Sequence, residues 1–204
     1  MASKAVLTKR NLSSAREILF TVTSLLDKNN IRYHLEGGTL LGLVRDGDLL
    51  PWDDDVDISI PEKHSSDFLK LKFELLKRGY KMSVRKSNKD VGPVQKNQYS
   101  LFKVKPILGY FLSWFMPKGN KHLVVLDIFV KVNDAHHTYW QAKEKVMRVD
   151  NKYYQSYETI QYLGKELKVP NEVESYLTEK YGNWKIPVKE WNCGINELTI
   201  YPGA

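Results

Sequence analysis

Residues 37–58, GGTLLGLVRDGDLLPWDDDVDI, decide the fold of this chain. The stretch opens with a glycine pair that follows a predicted strand at residues 31–35 and precedes a short predicted helix. Glycines at such a corner let the backbone approach an anion, because no side chain intervenes and the first helical amides point outward. Gly37, Gly38 and Thr39 are therefore candidate phosphate-binding residues, although a tight turn is the commoner explanation of a glycine pair alone.

Two carboxylates follow on the next predicted strand, residues 56–60. In Asp55-Val56-Asp57-Ile58, residues two apart point to the same face, so the two carboxylates converge while Val56 and Ile58 enter the core. Like charges this close repel each other unless a cation lies between them. Carboxylate oxygens suit Mg²⁺, with Mn²⁺ as the alternative ion. Asp55 and Asp57 are thus predicted to be metal ligands and catalytic residues.

The residues before this strand enlarge the acidic cluster. Asp53 shares the face of Asp55 and Asp57 if the strand begins early, which predicts contact with the substrate or with a metal-bound water. Asp54 is better explained as a solvated turn residue. Trp52 either stacks on a base or sugar of the substrate or fills the entrance of the strand.

Asp127 interrupts the apolar residues 123–130, LVVLDIFV. An ionised carboxylate is costly to bury alone, so this side chain must face a metal, a cation or a binding site. The acidic pair upstream favours a third metal-site carboxylate over a structural ion pair. Asp127 therefore joins the predicted catalytic and metal-binding residues.

The remaining sequence predicts one compact unit of mixed helices and strands. An amphipathic helix runs to about Lys28, a crossover helix ends at Gly79, and a final helix ends at Gly182. Further strands are predicted at residues 80–85, 99–105 and 122–132. The division that follows is residues 1–30 as an N-terminal helix packing on the core, 31–187 as the main domain, and 188–204 as an irregular C-terminal tail.

Length, composition and net charge limit the class of protein. The 204 residues are 42% hydrophobic and 27% charged with a net charge of +7, which is typical of a globular protein with an anionic partner. The basic residues are spread along the chain, so nucleic acid is not an expected partner. The single cysteine, Cys193, cannot form an intrachain disulfide, and no signal peptide or membrane-spanning stretch stands out. A cytoplasmic location is expected.

The stretch 37–58 resembles the signature of the LicD and fukutin-related family of phosphotransferases. LDIF at residues 126–129 is similar to the second acidic motif of that family, and residues 169–184 resemble its closing pattern of a Val-Pro step, a helix and a Tyr-Gly-x-Trp turn. The resemblance extends from about Tyr33 to about Pro187. It implies an α+β fold in which a nucleotidyltransferase-type mixed β-sheet is flanked by helices in a single domain.

The resemblance also implies a function. The family moves a phospho-alcohol, such as phosphocholine or ribitol phosphate, from a CDP-activated donor to a hydroxyl of a glycan or glycolipid. In this sequence Asp55 and Asp57 match the family's metal-binding pair, Asp127 matches the later acidic residue, and Gly37-Gly38 match the phosphate-binding turn. Asp127 would bind a second ion or accept the proton of the acceptor.

Basic residues near the motif are candidates to hold the donor. Arg45 matches the family's basic position after the glycine-led helix and is assigned to the donor diphosphate. Lys103 and Lys105 are weaker candidates, and an exposed strand face is the preferred interpretation of both.

Two other functions stay open at this point. The same fold and metal pair serve nucleotidyltransferases, which transfer the nucleotide monophosphate itself to a protein, an RNA or a small molecule and release pyrophosphate. A nucleotide- or glycan-binding protein without catalysis is the third alternative. Retention of all three carboxylates argues against the loss of catalysis.

Residues 106–117 are the most apolar stretch outside the predicted strands. They are too few to span a bilayer, so they predict either a buried helix or a lip that makes peripheral contact with a membrane carrying a lipid-linked acceptor. His136 and His137 follow the Asp127 strand and are interpreted as surface loop residues.

Overall fold

The computed structural model describes residues 9–108 and 124–202, which form a mixed β-sheet with helices packed against it. The helices are α1 (Lys9–Lys28), α2 (Gly37–Arg45), α3 (Ser65–Lys70), α4 (Lys72–Lys77), α5 (Lys152–Gln155) and α6 (Val173–Tyr181). The strands are β1 (His34–Leu35), β2 (Asp55–Pro61), β3 (Tyr80–Lys86), β4 (Tyr99–Pro106), β5 (Val125–Asn133), β6 (His137–Ala142), β7 (Lys145–Asp150), β8 (Tyr157–Tyr162) and β9 (Lys165–Pro170).

Within these residues the main sheet has seven strands. Its central order is β1-β2-β5-β4-β3, and the β6–β7 hairpin continues from the end of β5. The pair β2 and β5 is parallel, whereas the neighbouring pairs are antiparallel. A parallel pair needs a crossover connection, and helices α3 and α4 with strands β3 and β4 lie between these two strands in the chain. The predicted α+β class with a mixed sheet in one domain is confirmed.

The core forms on one side of the central strands. Val56, Ile58, Leu126 and Ile128 are fully buried, as the alternation of the two strand sequences predicts. Helix α1 covers this side with a stripe of side chains that have no exposed surface. The members of the stripe are Ala15, Ile18, Leu19, Val22 and Leu26. The opposite side of the same strands is left to the acidic residues.

The predicted crossover helix is divided in the structure. Helices α3 and α4 are separated at Leu71, whose backbone N–H bonds to the carbonyl of Phe68 three residues earlier rather than continuing the α-helical ladder. The connection ends at Gly79 with φ of +83°, the left-handed conformation expected of a helix stop.

The region between β5 and α6 holds two hairpins that the sequence analysis did not assign. The β6–β7 hairpin extends the main sheet, and the β8–β9 hairpin forms a separate two-stranded sheet that contacts β1. The C-terminal segment is largely irregular, but it runs beside β7: Arg148 and Tyr201 donate backbone hydrogen bonds to Thr199 and Val146. It is therefore packed on the sheet.

The apolar stretch of residues 106–117 falls outside the described residues beyond position 108, so the buried helix and the membrane-contacting lip both stay predictions. None of the helices in the described ranges combines the length and apolar character needed to cross a bilayer.

Candidate functional site

The structure brings Asp55, Asp57 and Asp127 together on one face of the sheet. Asp57 on β2 lies directly opposite Asp127 on the parallel neighbour β5, and Asp55 is two residues earlier on the same face. One carboxylate oxygen from each of the three lies within 4.8 Å of the other two. This convergence is what the alternating sequences of the two strands imply when the strands become neighbours.

Burial and mutual repulsion make this cluster unfavourable without a counter-charge. Burial raises the pKa of Asp55 to about 7, and the nearby Asp53 and Asp127 add to the shift. Burial also raises the pKa of Asp57 well above its usual range, with Asp55 the largest charge acting on it. Asp127 Oδ1 is buried and has no hydrogen-bond partner among the described residues. The donor set is all carboxylate oxygen and fits a hard divalent cation.

Lys103 supplies a positive charge to this cluster from β4. It lies opposite Asp127 in the strand register, and its ammonium forms an ion pair with Asp127 Oδ2. Only 22% of the Lys103 side chain is exposed. The preferred interpretation of Lys103 as part of an exposed strand face is therefore wrong, because the antiparallel register of β4 with β5 places Lys103 opposite Asp127.

The glycine corner lies against the acidic residues. A methyl group at Gly37 would be 2.2 Å from Asp57 Oδ2, and one at Gly38 would be 1.9 Å from Asp53 Oδ2. Gly37 also has φ of +57°, which favours glycine. The carboxylates of Asp57 and Asp53 occupy the space beside these two α-carbons. The absence of a side chain at Gly37 and Gly38 therefore makes room for the acidic residues.

Thr39 contacts the backbone of Asp57, and its contact with phosphate stays a prediction. Its side chain is buried, and its hydroxyl accepts a hydrogen bond of 2.8 Å from the backbone N–H of Asp57. The backbone N–H of Glu36 donates to the Asp57 carbonyl at 3.0 Å. The structure thus shows Thr39 fixing the position of Asp57 on β2, and its hydroxyl does not line the cavity described below.

A buried ionic network behind the corner was missed by the sequence analysis. Glu36, only 1% exposed, has an oxygen 2.7 Å from the ammonium of Lys131 and another 2.8 Å from that of Lys180. Tyr176 donates its hydroxyl to both Glu36 oxygens, and Lys180 also lies 3.2 Å from Glu197 in the C-terminal segment. Burial alone would raise the pKa of Glu36, but Lys131 and Lys180 hold it well below its usual range.

This network joins segments that are distant in sequence. Glu36 accepts a hydrogen bond from the Gly37 backbone N–H at the start of α2 and bonds Ser59 on β2. Lys131 follows Asp127 on the same face of β5 and lies 3.0 Å from the ring centroid of Trp140. The ends of α2, β2 and β5 are therefore held together by buried charge directly beside the acidic centre.

The acidic centre opens into a cavity of about 630 Å³. Trp52, Asp53 and Asp54 line it and are half-buried, and the interpretation of Asp54 as a solvated turn residue stays a prediction. The C-terminal segment closes one side with aromatic and apolar side chains, among them Trp184, Ile186, Val188 and Trp191. Residues 188–202 are thus irregular in backbone and yet form part of the cavity wall.

Arg45 lines the cavity, and its guanidinium already donates hydrogen bonds to other residues of the chain. Its guanidinium makes two bonds of 2.8 Å to the Asp46 carboxylate and one of 3.3 Å to the carbonyl of Trp184, and it lies 5.9 Å from the ring centroid of Trp52. This geometry links α2 to the C-terminal wall. Contact between Arg45 and a donor diphosphate stays a prediction.

His136 and His137 lie away from the cavity, as expected. Both backbone N–H groups donate to Asp134 Oδ1, at 2.8 and 2.7 Å, in the turn between β5 and β6. Their position is that of turn residues, although His137 also begins β6.

A mixed sheet with a glycine-led helix and an acidic centre shared by two strands defines a nucleotidyltransferase-type domain. The chain belongs to the LicD/FKTN/FKRP nucleotidyltransferase domain family, which matches residues 30–172. The matched residues contain the glycine corner and all three converging carboxylates.

Three named relatives show where the similarity lies. The ribitol 5-phosphate transferase FKRP of Homo sapiens is 49% identical over 49 residues, which are 24% of this chain and 10% of that protein. The ribitol-5-phosphate transferase FKTN of Homo sapiens is 26% identical over 195 residues, 94% of this chain and 37% of that protein. The lipopolysaccharide cholinephosphotransferase LicD of Haemophilus influenzae is 34% identical over 59 residues, 29% and 22% of the two chains. The aligned stretches thus span well under half of each relative.

Proposed function

We propose that this chain is a metal-dependent phosphotransferase that moves a phospho-alcohol from a CDP-activated donor to a hydroxyl of a glycan or glycolipid. The observation that carries the proposal is the meeting of Asp55, Asp57 and Asp127 from two parallel strands at the end of one cavity. Relatives named as ribitol-phosphate and cholinephosphate transferases support the same reaction class.

In this proposal Asp55, Asp57 and Asp127 hold Mg²⁺, or Mn²⁺ in its place. The ion, when bound, neutralises negative charge on the phosphate groups during transfer. The unpartnered Asp127 Oδ1 and the raised pKa values of the other two carboxylates support a cation as the missing partner. Lys103 keeps Asp127 oriented toward the other two carboxylates through its ion pair.

The bond changes follow from the chemistry of a CDP-alcohol. The acceptor oxygen forms a bond to the phosphorus that carries the alcohol, the bond between that phosphorus and the CMP oxygen breaks, and CMP leaves. The proton of the acceptor hydroxyl passes to a carboxylate of the cluster, for which Asp127 is the proposed residue because it lies on β5, across from the Asp55 and Asp57 pair on β2.

The remaining predicted residues would hold the donor around this centre. The Gly37 amide is already bonded to Glu36, which leaves the Gly38 amide as the better candidate for a phosphate oxygen at the start of α2. Asp53 packs on Gly38 and lines the cavity, so it would border the same phosphate. Trp52 is half-buried in the cavity wall and offers a ring face for a base or sugar.

The test uses Asp57→Asn, which removes charge with little change of shape, and Asp67→Asn on the exposed surface of α3 as the matched control. Wild-type protein and both variants are incubated with Mg²⁺, a panel of CDP-alcohols and candidate glycans, and CMP is measured. We expect Asp57→Asn to reduce CMP formation by at least about 100-fold and the control to match wild type. CMP formation by Asp57→Asn at the wild-type rate would refute the assignment, and pyrophosphate release would identify nucleotide transfer instead.

A further inference from the structure

The face that carries the carboxylates changes from acidic to basic along the sheet. Asp57 pairs with Asp127, Asp127 pairs with Lys103, and Lys103 pairs with Ser83, so one row crosses β2, β5, β4 and β3. Side chains two residues apart on a strand share a face, which places Lys105 and Arg85 on the same side as Lys103. The acidic half therefore lies on β2 and β5, and the basic half lies on β4 and β3.

Three of the basic residues that line the cavity of the acidic centre come from β3, β4 and the β6–β7 hairpin. Arg85 comes from the end of β3, Lys103 from β4, and Lys143 from the turn between β6 and β7. Arg85 and Lys143 also border an adjoining cleft of about 240 Å³, so they lie where the cavity and the cleft meet. Lys143 has φ of +54°, and the pairing of β3 with β4 is irregular immediately after Arg85. Such irregularities redirect side chains at the edges of sites.

Not all of these basic side chains form a salt bridge with a carboxylate. Lys103 pairs with Asp127, but Arg85 and Lys143 form no salt bridge with any residue in the described ranges. Both are exposed, whereas Arg45 on the other side of the cavity is held by Asp46. Arg85 and Lys105 add positive potential at Asp127 without contacting it. A guanidinium and two ammonium groups that line one cavity suit an oxyanion, and phosphate accepts hydrogen bonds from both kinds of group.

We propose that Arg85, Lys103 and Lys143 form a phosphate-binding subsite on the far side of the carboxylates from the Gly38 corner. The substrate would then lie across the acidic centre with negatively charged groups on both sides of it. The phosphate belongs either to the nucleotide that leaves the donor or to the acceptor. The identity of this ligand rests on the proposed phosphotransferase function, whereas the binding itself does not.

The subsite is tested by calorimetric titration of the whole chain with inorganic phosphate and with CMP. The double variant Arg85→Gln/Lys143→Gln removes two exposed charges, and Lys72→Gln/Lys77→Gln on helix α4 removes the same charge away from both cavities. We expect phosphate affinity to fall at least about tenfold in the first variant and less than twofold in the second. Equal losses in both variants, or no loss in the first, would overturn the subsite.

A competition experiment distinguishes the two sources of the phosphate. If saturating CMP displaces inorganic phosphate from the wild-type protein, the subsite holds the phosphate of the leaving nucleotide. If inorganic phosphate binds equally well with CMP present, it holds a phosphate carried by the acceptor. Both experiments measure binding and do not depend on catalysis by the protein. A protein that shows this binding but releases no CMP from any CDP-alcohol would keep the subsite and refute the proposed function.

Discussion

The carboxylate of Asp57 lies against the α-carbon of Gly37 with no room for a side chain between them. A methyl group on Gly37 would come within 2.2 Å of Asp57 Oδ2. The same glycine has φ of +57° and begins α2. Glycine is therefore required here by the acidic centre itself, in addition to any contact that its backbone makes with phosphate.

Gly37→Ala should disable the site more than it destabilises the fold. The methyl group must displace Asp57, and a displacement of about 1 Å in a catalytic group can cost about 100-fold in rate. The left-handed backbone adds about 1–2 kcal/mol of destabilisation. The measurements are CMP formation and the increase in melting temperature on addition of Mg²⁺, and both should be lost.

Gly47→Ala is the matched control for this variant. Gly47 has φ of +72°, so alanine carries a similar backbone cost, but nothing lies within 4 Å of the added methyl group. We expect it to lose stability by a similar amount and to keep both the Mg²⁺ response and activity. Equal behaviour of the two variants would show that backbone strain, and not the contact with Asp57, is what matters.

The acidic centre could be predicted from sequence because it depends on local periodicity. Asp55 and Asp57 alternate with buried Val56 and Ile58, and Asp127 is an isolated charge in an apolar strand. Each pattern fixes the face of its own strand. No local signal specifies which strands pair, so the meeting of the two strands was inferred from the need of the isolated Asp127 charge for a partner or a site, and the family resemblance implied the same three residues.

The Glu36 network could not be predicted in the same way. Its members are separated by up to 161 residues, from Glu36 to Glu197, and each alone resembles an ordinary surface charge. One signal was present: Lys131 lies four residues after Asp127, on the same face of an otherwise apolar strand. The β6–β7 and β8–β9 hairpins were missed because their strands mix charged and aromatic residues without clean alternation.

Lys103→Met should make stability depend on a divalent cation. The variant leaves the buried Asp127 carboxylate without its ion pair, a loss of about 1–3 kcal/mol in the absence of metal. A cation bound at the carboxylates would restore most of that loss. Lys105→Met on the same strand is the control, since Lys105 does not line the cavity. Urea unfolding with and without Mg²⁺ measures the effect, and equal losses in the two variants, with no recovery on adding metal, would contradict it.

Glu36→Gln should be among the most destabilising single substitutions in the chain. It leaves the ammonium groups of Lys131 and Lys180 buried without their shared counter-charge. Breaking a buried ion pair in this way costs about 3–5 kcal/mol. Chemical denaturation measures the loss, and the exposed Glu62→Gln provides a control with the same chemical change. A loss below about 1 kcal/mol, the range of exposed pairs, would show that the network contributes little to stability.

His34 should make the fold sensitive to mild acid. Its ring is fully buried on β1, and Nδ1 is hydrogen-bonded to the Leu35 carbonyl at 2.8 Å. The centroid of the Tyr154 ring lies 4.8 Å from that of the imidazole. Burial lowers its pKa to about 4, and the charge of Glu36 opposes this only in part. The unfolded chain has a histidine pKa of about 6.5. Between these two values the unfolded state binds the additional proton.

The contribution of His34 to the free energy of unfolding therefore falls as pH decreases from about 6.5 toward 4, and it levels off below that. The full loss is about 3 kcal/mol for this one group. His34→Phe keeps an aromatic ring against Tyr154 and cannot be protonated, so its stability should decline less over the same pH interval. His136→Phe in the exposed turn should behave as wild type. Urea unfolding at pH 7, 6, 5 and 4 gives the comparison, and parallel curves for wild type and His34→Phe would show that the buried imidazole does not set the acid sensitivity.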